Sequence, residues 1–164
     1  MIVDHHHELI TDLIDSDLSI GDHIQFAVTS NSMAPLIKAN DSLVAQVVKP
    51  DTIKPGDIVV IRREADFLVH RAVKPIGDGW LTKGDNIAQL DPPSQTKDLI
   101  GQVVLVNRPG KSIPLQTRKW NCTNLILAKL SFLEAKAFEF RPILRLPFRL
   151  SIKIIQKYLS WRTH

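Results

Sequence analysis

The sequence predicts a mainly β protein with a helical C-terminal appendage. Between Gln25 and Asn107, short apolar runs alternate with turn-forming residues, which is the pattern of a small all-β barrel or sandwich. After Thr117 the chain becomes rich in Leu, Ala, Lys and Glu, which favours helix. The 164 residues, 44% of them hydrophobic, suffice for one compact domain and an appendage. We expect an acidic N-terminal segment (1–24), a β core (25–115) and a basic amphipathic helical tail (116–164).

Each predicted strand is a short apolar run bounded by Pro, Gly, Asn or Asp, which are the residues that turns require. The candidate strands are Ser42–Val48, Asp57–Arg62, Phe67–Val73, Gly79–Thr82 and Ile100–Val106.

Three segments have helical character. In the N-terminal segment, apolar residues at helical spacing between Leu9 and Ile14 predict one short amphipathic helix. In the tail, Leu125–Phe140 is predicted to be helical, and so is Arg141–Trp161. The prolines at 142 and 147 must break or kink the last of these.

The charge is distributed unevenly. Residues 1–98 hold 15 acids and 9 bases, a net charge of −6, whereas residues 99–164 hold 2 acids and 12 bases, a net charge of +10.

The bases of the tail recur every four residues among bulky apolar side chains, a pattern typical of helices that lie on anionic membranes. We therefore expect residues 141–162 to bind an anionic membrane surface, with packing on the core or on a partner as the alternative. Nucleic acid is disfavoured because such an arm needs little Ile and Leu. The recurring bases are Arg141, Arg145, Arg149, Lys153 and Lys157.

Several classes of protein are disfavoured. The single cysteine, Cys122, can form neither an internal disulfide nor a zinc cluster, and no metal or cofactor is expected. His5–His7 indicate a disordered tract or the remnant of a purification tag more than a metal site. The acidic start lacks the features of a secretory signal peptide, and no stretch is long and apolar enough for an ordinary transmembrane helix. We expect a cytoplasmic or peripherally membrane-associated protein.

Three short motifs carry reactive side chains. Ser32 lies in Ser30-Asn31-Ser32-Met33-Ala34-Pro35, which alone is typical of a turn or a helix cap. A serine nucleophile needs a base, and His70, in a predicted strand, carries an imidazole suited to that role near neutral pH. Asp85 and Asp91 follow, and an acid could orient the imidazole. Each of these residues, taken singly, is more often an ordinary packed or surface residue.

The order of the pieces is more specific than any one of them. The serine motif is followed by Lys54-Pro55-Gly56-Asp57, then His70-Arg71, then Thr82-Lys83-Gly84-Asp85-Asn86 with Asp91. Over about residues 26–106 this order resembles the signal peptidase I family, in its endoplasmic-reticulum and archaeal branch, where histidine replaces the bacterial lysine base. The resemblance implies a signal-peptidase-like or LexA-like β-barrel-type catalytic core.

By position, the resemblance makes Ser32 the nucleophile and His70 the base. Asp91 is then the acid that orients the imidazole, and Asp85 is a second catalytic carboxylate. The oxyanion would be bound by the backbone N–H of Ser32 and by the hydroxyl of Ser30.

The implied activity is that of a serine endopeptidase that removes leader segments from peptide or protein precursors. The family cleaves after small residues at the first and third positions before the bond, and it normally has a membrane anchor where this chain has an acidic segment. One alternative is a catalytically inactive β module that binds a membrane or a partner through its basic tail. A self-cleaving repressor is less consistent with the sequence, because such repressors use a lysine base and a cleaved Ala-Gly or Cys-Gly bond. Neither dipeptide occurs in this chain.

Overall fold

The computed structural model describes residues 18–63, 66–140 and 142–162. It contains a continuous antiparallel sheet of eight strands followed by two helices, which confirms the mainly β core with a helical C-terminal appendage. The predicted helix between Leu9 and Ile14 and the residues His5–His7 lie outside the described residues. The strands are β1 (His23–Ala27), β2 (Ser42–Gln46), β3 (Ile58–Arg63), β4 (Asp66–Ile76), β5 (Gly79–Lys83), β6 (Ser94–Gln95), β7 (Leu99–Arg108) and β8 (Lys111–Pro114). The helices are α1 (Arg118–Phe140) and α2 (Leu146–Arg162), with 3-10 turns at Pro50–Thr52, Thr96–Asp98 and Pro142–Arg145.

The strand order is β1-β2-β7-β3-β4-β5-β6, with β8 also paired to β7. The long strand β7 lies at the centre of this arrangement. One of its edges pairs with β2, and the other pairs first with β3 and then with β8. Among the described strands no ladder joins β1 to β6, so the sheet is open.

The core is divided into two clusters by β3. Four consecutive residues of β3 are buried, and because neighbouring side chains on a strand point to opposite faces, they serve both clusters. Ile58 and Val60 belong to the larger cluster, and Val59 and Ile61 to the smaller one. The larger cluster also contains three residues that directly follow the candidate nucleophile, and these fix that segment to the core. They are Met33, Leu36 and Ile37.

The helix α1 packs against the β core. It begins at Arg118, earlier than the predicted start at Leu125, because the Thr117 hydroxyl accepts the N–H of Trp120 at 3.4 Å, as an N-cap does. Trp120 is 2% exposed and belongs to the larger cluster, and α1 also contacts β4.

The second helix, α2, packs against α1, and its Ile152 and Gln156 are fully buried. The 3-10 turn before it separates the two helices where the prolines predicted a break. Neither C-terminal helix is long and apolar enough to cross a bilayer, and the same holds for the rest of the described chain.

Candidate active site

The segment that carries Ser32 is a turn held on both sides. The Asn31 side-chain oxygen accepts the N–H of Ala39 at 3.1 Å, and the Ser32 carbonyl oxygen accepts the N–H of Asn86 at 2.7 Å. Ser32 itself is partly exposed. The Ser30 hydroxyl lies 3.2 Å from the Ser32 hydroxyl and 3.5 Å from the Ser32 backbone nitrogen. The two donors predicted for the oxyanion therefore lie side by side.

His70, in β4, is held by Asp91 from the segment between β5 and β6. Its ring is 2% exposed, and its Nδ1 lies 2.7 Å from Asp91 Oδ2. The same carboxylate oxygen accepts the Thr82 hydroxyl at 2.7 Å, and the Asp91 N–H donates to the Thr82 carbonyl at 2.9 Å. Since a carboxylate at this distance accepts a hydrogen bond from an Nδ1–H group, it favours the tautomer in which Nδ1 carries the proton and Nε2 carries a lone pair.

The other ring nitrogen, His70 Nε2, is buried and has no hydrogen-bond partner among the described residues. It lies against Gly84, where a methyl group would come within 2.8 Å of Nε2 and also within 2.8 Å of the Ser32 carbonyl oxygen. Because both atoms lie within 2.8 Å of the same point, His70 Nε2 and the Ser32 carbonyl oxygen are separated by no more than twice that distance. The absence of a side chain at Gly84 allows this close approach.

The structure places Asp85 with Arg71, not with His70. Arg71 donates from Nε and NH2 to the two carboxylate oxygens at 2.9 and 2.7 Å, and both side chains are fully buried. The NH1 group of Arg71 reaches the Gly56 carbonyl at 2.7 Å and the side-chain oxygen of Asn124 at 2.9 Å. Consecutive residues of β4 thus contact consecutive residues of one loop, and the Asp85 carboxylate is engaged in a buried ion pair.

Asp57 closes the turn before β3. Its carboxylate accepts the N–H of Lys54 at 2.8 Å. Burial raises the pKa of the Asp57 carboxyl above its ordinary value, and the Lys54 N–H together with the charges of Lys54 and Arg71 offsets only part of this effect.

A small cleft of about 80 Å³ adjoins Ser32. Most of its lining residues are apolar, with hydroxyl groups from Thr29, Ser30 and Ser32 among them, and the ring centroids of Phe26 and Phe67 lie 5.5 Å apart. Its lining comes from β1, β2 and β4 and from the segment around the nucleophile, including Val28, Ser30, Met33, Ile37, Leu43 and Val69.

Sequence reasoning missed three contributors to the site. In the sequence, Thr82 and Gly84 stand out only as parts of a motif, and Arg71 only as the neighbour of His70. Thr82 could have been identified from strand pairing, since it lies opposite Ala72 in the ladder between β4 and β5. No local signal marks Gly84, because its importance depends on two residues that are distant in sequence.

The chain was compared with models of known protein families. The model of the Peptidase S24-like family matches residues 3–104, more than half of the chain. The chain belongs to the Peptidase S24-like family. At that level it is a serine-type peptidase, in a family that covers both LexA-type and signal-peptidase-like enzymes. The part matched by the S24-like model includes Ser32, His70 and Asp91 but neither C-terminal helix. No curated protein matches the chain.

Proposed function

We propose that this S24-like peptidase is an endopeptidase of the signal peptidase I kind, which removes leader segments from peptide or protein precursors. The observation that carries the proposal is the state of His70. Its Nδ1 is held by Asp91, and its buried Nε2, unpaired among the described residues, lies beside the loop that binds the Ser32 backbone.

In the proposed reaction, the Ser32 hydroxyl attacks the carbonyl carbon of the scissile bond and passes its proton to His70 Nε2. Asp91 stabilises the imidazolium that forms. The negative oxygen of the tetrahedral intermediate is bound by the Ser32 N–H and the Ser30 hydroxyl. His70 then protonates the leaving amine, and water hydrolyses the acyl-enzyme with His70 again acting as base.

Lys83 is the alternative base, since a lysine performs this role in the self-cleaving repressors. Its ammonium group donates to Glu134 at 2.7 Å and to the Gly84 carbonyl at 3.2 Å, in a fully buried position. A general base must have a lone pair available to accept the proton of the serine hydroxyl. The Lys83 nitrogen is engaged as a donor, whereas His70 Nε2 is not, so the geometry favours a Ser-His-Asp arrangement over a Ser-Lys pair.

The cleft beside Ser32 supports a preference for small side chains before the scissile bond, because about 80 Å³ leaves little room for a large one. The substrate backbone also has an available strand edge. In the described ladders, β5 pairs with β4 only from Arg71 onward, so Asp66–Val69 pairs only with β3. An extended peptide could add to that edge as a further strand.

A peptide library with small residues at the first and third positions before each bond tests this proposal, with products read by mass spectrometry. We expect cleavage by the unaltered chain and an equally low residual rate for Ser32→Ala and His70→Ala, because the two groups act as a unit. Ser32→Ala should keep the unfolding midpoint of the unaltered chain to within a few degrees, whereas His70→Ala removes a buried ring and should lower it, so the folded fraction of that variant is measured alongside its rate. Undiminished cleavage by either variant would contradict the mechanism.

We also propose that α2 binds an anionic membrane surface. Four apolar side chains at four-residue intervals along α2 are 49% to 61% exposed. No acid occurs after Glu139, whereas six lysines or arginines do. An exposed apolar row among bases suits an interface of acyl chains and anionic head groups. The row consists of Leu146, Leu150, Ile154 and Tyr158.

A further inference from the structure

One short loop, Lys83–Asn86, holds the two halves of the candidate site together. Gly84 lies against both His70 Nε2 and the Ser32 carbonyl oxygen. The Asn86 N–H donates to that carbonyl at 2.7 Å, and the Asn86 side-chain nitrogen donates to the Asn31 carbonyl at 3.2 Å. A displacement of this loop would therefore move the nucleophile relative to its base.

The helix α2 reaches this loop through two polar side chains. Gln156 is fully buried and donates from Nε2 to Asp85 Oδ2, so it adds a third donor to the carboxylate that Arg71 already binds. Arg149 donates from NH2 to the side-chain oxygen of Asn86 at 2.9 Å. Because the nitrogen of the same amide binds the Asn31 carbonyl, Asn86 links α2 directly to the nucleophile segment.

The helix α1 supports the same loop from another side. Glu134 binds Lys83 at 2.7 Å, and Asn124 binds the guanidinium of Arg71, which holds Asp85. These contacts are buried, where a lost partner leaves a polar group unsatisfied and favours rearrangement of the loop. Both C-terminal helices thus converge on Lys83–Asn86.

We infer that Arg149 and Gln156 are positioning residues for the peptidase site, and that α2 is part of the catalytic apparatus although it lies outside residues 3–104 that match the family. This inference rests on the proposed function. The two residues act through Asn86 and Asp85, which fix Gly84 between Ser32 and His70. Small errors in such a geometry are costly, since a misplacement of about 1 Å lowers a rate by about a hundredfold.

The test uses the full chain and four single variants. Arg149→Gln removes the donor to Asn86, Arg149→Lys keeps a cation there, and Gln156→Met removes the amide with little change in shape. Arg118→Gln makes the same substitution as the first variant at an exposed position in the first turn of α1. The measurements are kcat and KM for a soluble peptide, the unfolding midpoint, and the hydrogen-exchange rate of the Asn86 amide.

We expect kcat to fall at least about tenfold in Arg149→Gln and Gln156→Met with KM changed less than about twofold, because the binding cleft is untouched. Arg149→Lys should recover part of the loss, and Arg118→Gln should match the unaltered chain. The Asn86 amide should exchange faster in both impaired variants, whether or not the chain cleaves a given peptide.

The two hypotheses can fail separately. A chain that cleaves no peptide would defeat the proposed activity, and faster Asn86 exchange in the Arg149→Gln and Gln156→Met variants would still support the loop coupling. Full activity and unchanged exchange in Arg149→Gln would overturn the inference. That variant is decisive even if Gln156→Met fails to fold, because Arg149 is only half-buried.

Discussion

At the scale of single residues, the candidate site depends on one glycine, which has no side chain, as much as on three reactive side chains. Ser32, His70 and Asp91 could be proposed from the sequence, because a hydroxyl, an imidazole and a carboxylate have chemistry that their order along the chain makes recognisable. Gly84 could not, because its role is to leave space between His70 Nε2 and the Ser32 carbonyl. Asp85 shows the complementary difficulty: a carboxylate in a motif can serve chemistry or an ion pair, and only the fold shows that it faces Arg71.

A methyl group at position 84 should damage catalysis far more than folding. Gly84→Ala would force the imidazole and the nucleophile segment apart, so we expect a rate loss of about a hundredfold. As a control, Gly77→Ala strains a turn with φ of 56° but meets nothing within 4 Å, and it should cost stability while sparing activity. Peptide cleavage and urea unfolding of both variants provide the comparison, and equal activity losses would refute the steric role of Gly84.

Asp57 should make stability depend on pH in a defined direction. Its pKa in the folded chain is raised above the ordinary value of 3.8, chiefly by burial, so the folded state binds more protons than the unfolded state between the two values. The free energy of unfolding therefore falls as pH rises through that interval.

Asp57→Asn removes this titration. The free energy of unfolding of the variant, minus that of the unaltered chain, should thus be larger at about pH 7 than at about pH 3. Urea unfolding at both pH values measures the difference, and a gain in the opposite direction would contradict the assigned shift.

At the scale of elements, the sequence predicts the strands that carry strong apolar runs and misses those that do not. The five predicted strands correspond to β2, β3, β4, β5 and β7. The missed strands are short or only partly apolar: β6 has two residues, β8 contains Pro114, and β1 alternates between exposed and half-buried positions. These strands depend on hydrogen bonds to a neighbouring strand of the sheet. Their own residues carry no strong strand pattern, so the segment alone does not predict them.

The buried ion pair between β5 and α1 offers a test at this scale. Glu134→Leu would leave the Lys83 ammonium buried without its carboxylate, which typically costs about 3–5 kcal/mol. The double variant Lys83→Met with Glu134→Leu should recover most of that loss, because an apolar pair can fill the same space. Recovery should be incomplete, since Lys83 also donates to the Gly84 carbonyl. Urea unfolding of the two single variants and the double variant measures the coupling between Lys83 and Glu134. If the losses in the free energy of unfolding of the two single variants simply add in the double variant, the ion pair is not coupled.

At the scale of the whole molecule, the C-terminal third could be assigned as helical from its sequence but not positioned. An apolar stripe on a basic helix can face lipid or protein. In α2 the two directions differ, because Ile152 is fully buried whereas Ile154 is 58% exposed. The tail is thus joined to the core by buried contacts, and it still presents an apolar row to solvent. A chain cut after Lys119 would lose Trp120 from the larger core cluster, so dispensability of the tail can be judged only by substitutions on its outer face.

The membrane proposal predicts that the outer face of α2 can be altered without loss of cleavage. Leu150→Ser with Ile154→Ser should abolish sedimentation with anionic liposomes, because each apolar side chain contributes about 1.5–3 kcal/mol when buried in the interface. The bases contribute about 1 kcal/mol each near an anionic surface, so binding by the unaltered chain should also weaken as salt rises.

Leu125→Ser with Ile126→Ser is the matched control, since it removes two similarly exposed aliphatic side chains, 44% and 52% exposed, from α1. Because Leu150 and Ile154 are exposed whereas Gln156, which reaches Asp85, is buried, soluble peptide cleavage should persist in both double variants. If the α2 variant still sediments with anionic liposomes as the control does, the exposed row has another partner and the membrane assignment fails. If it loses cleavage together with binding, the outer face also supports the site and the two roles of α2 are not separable.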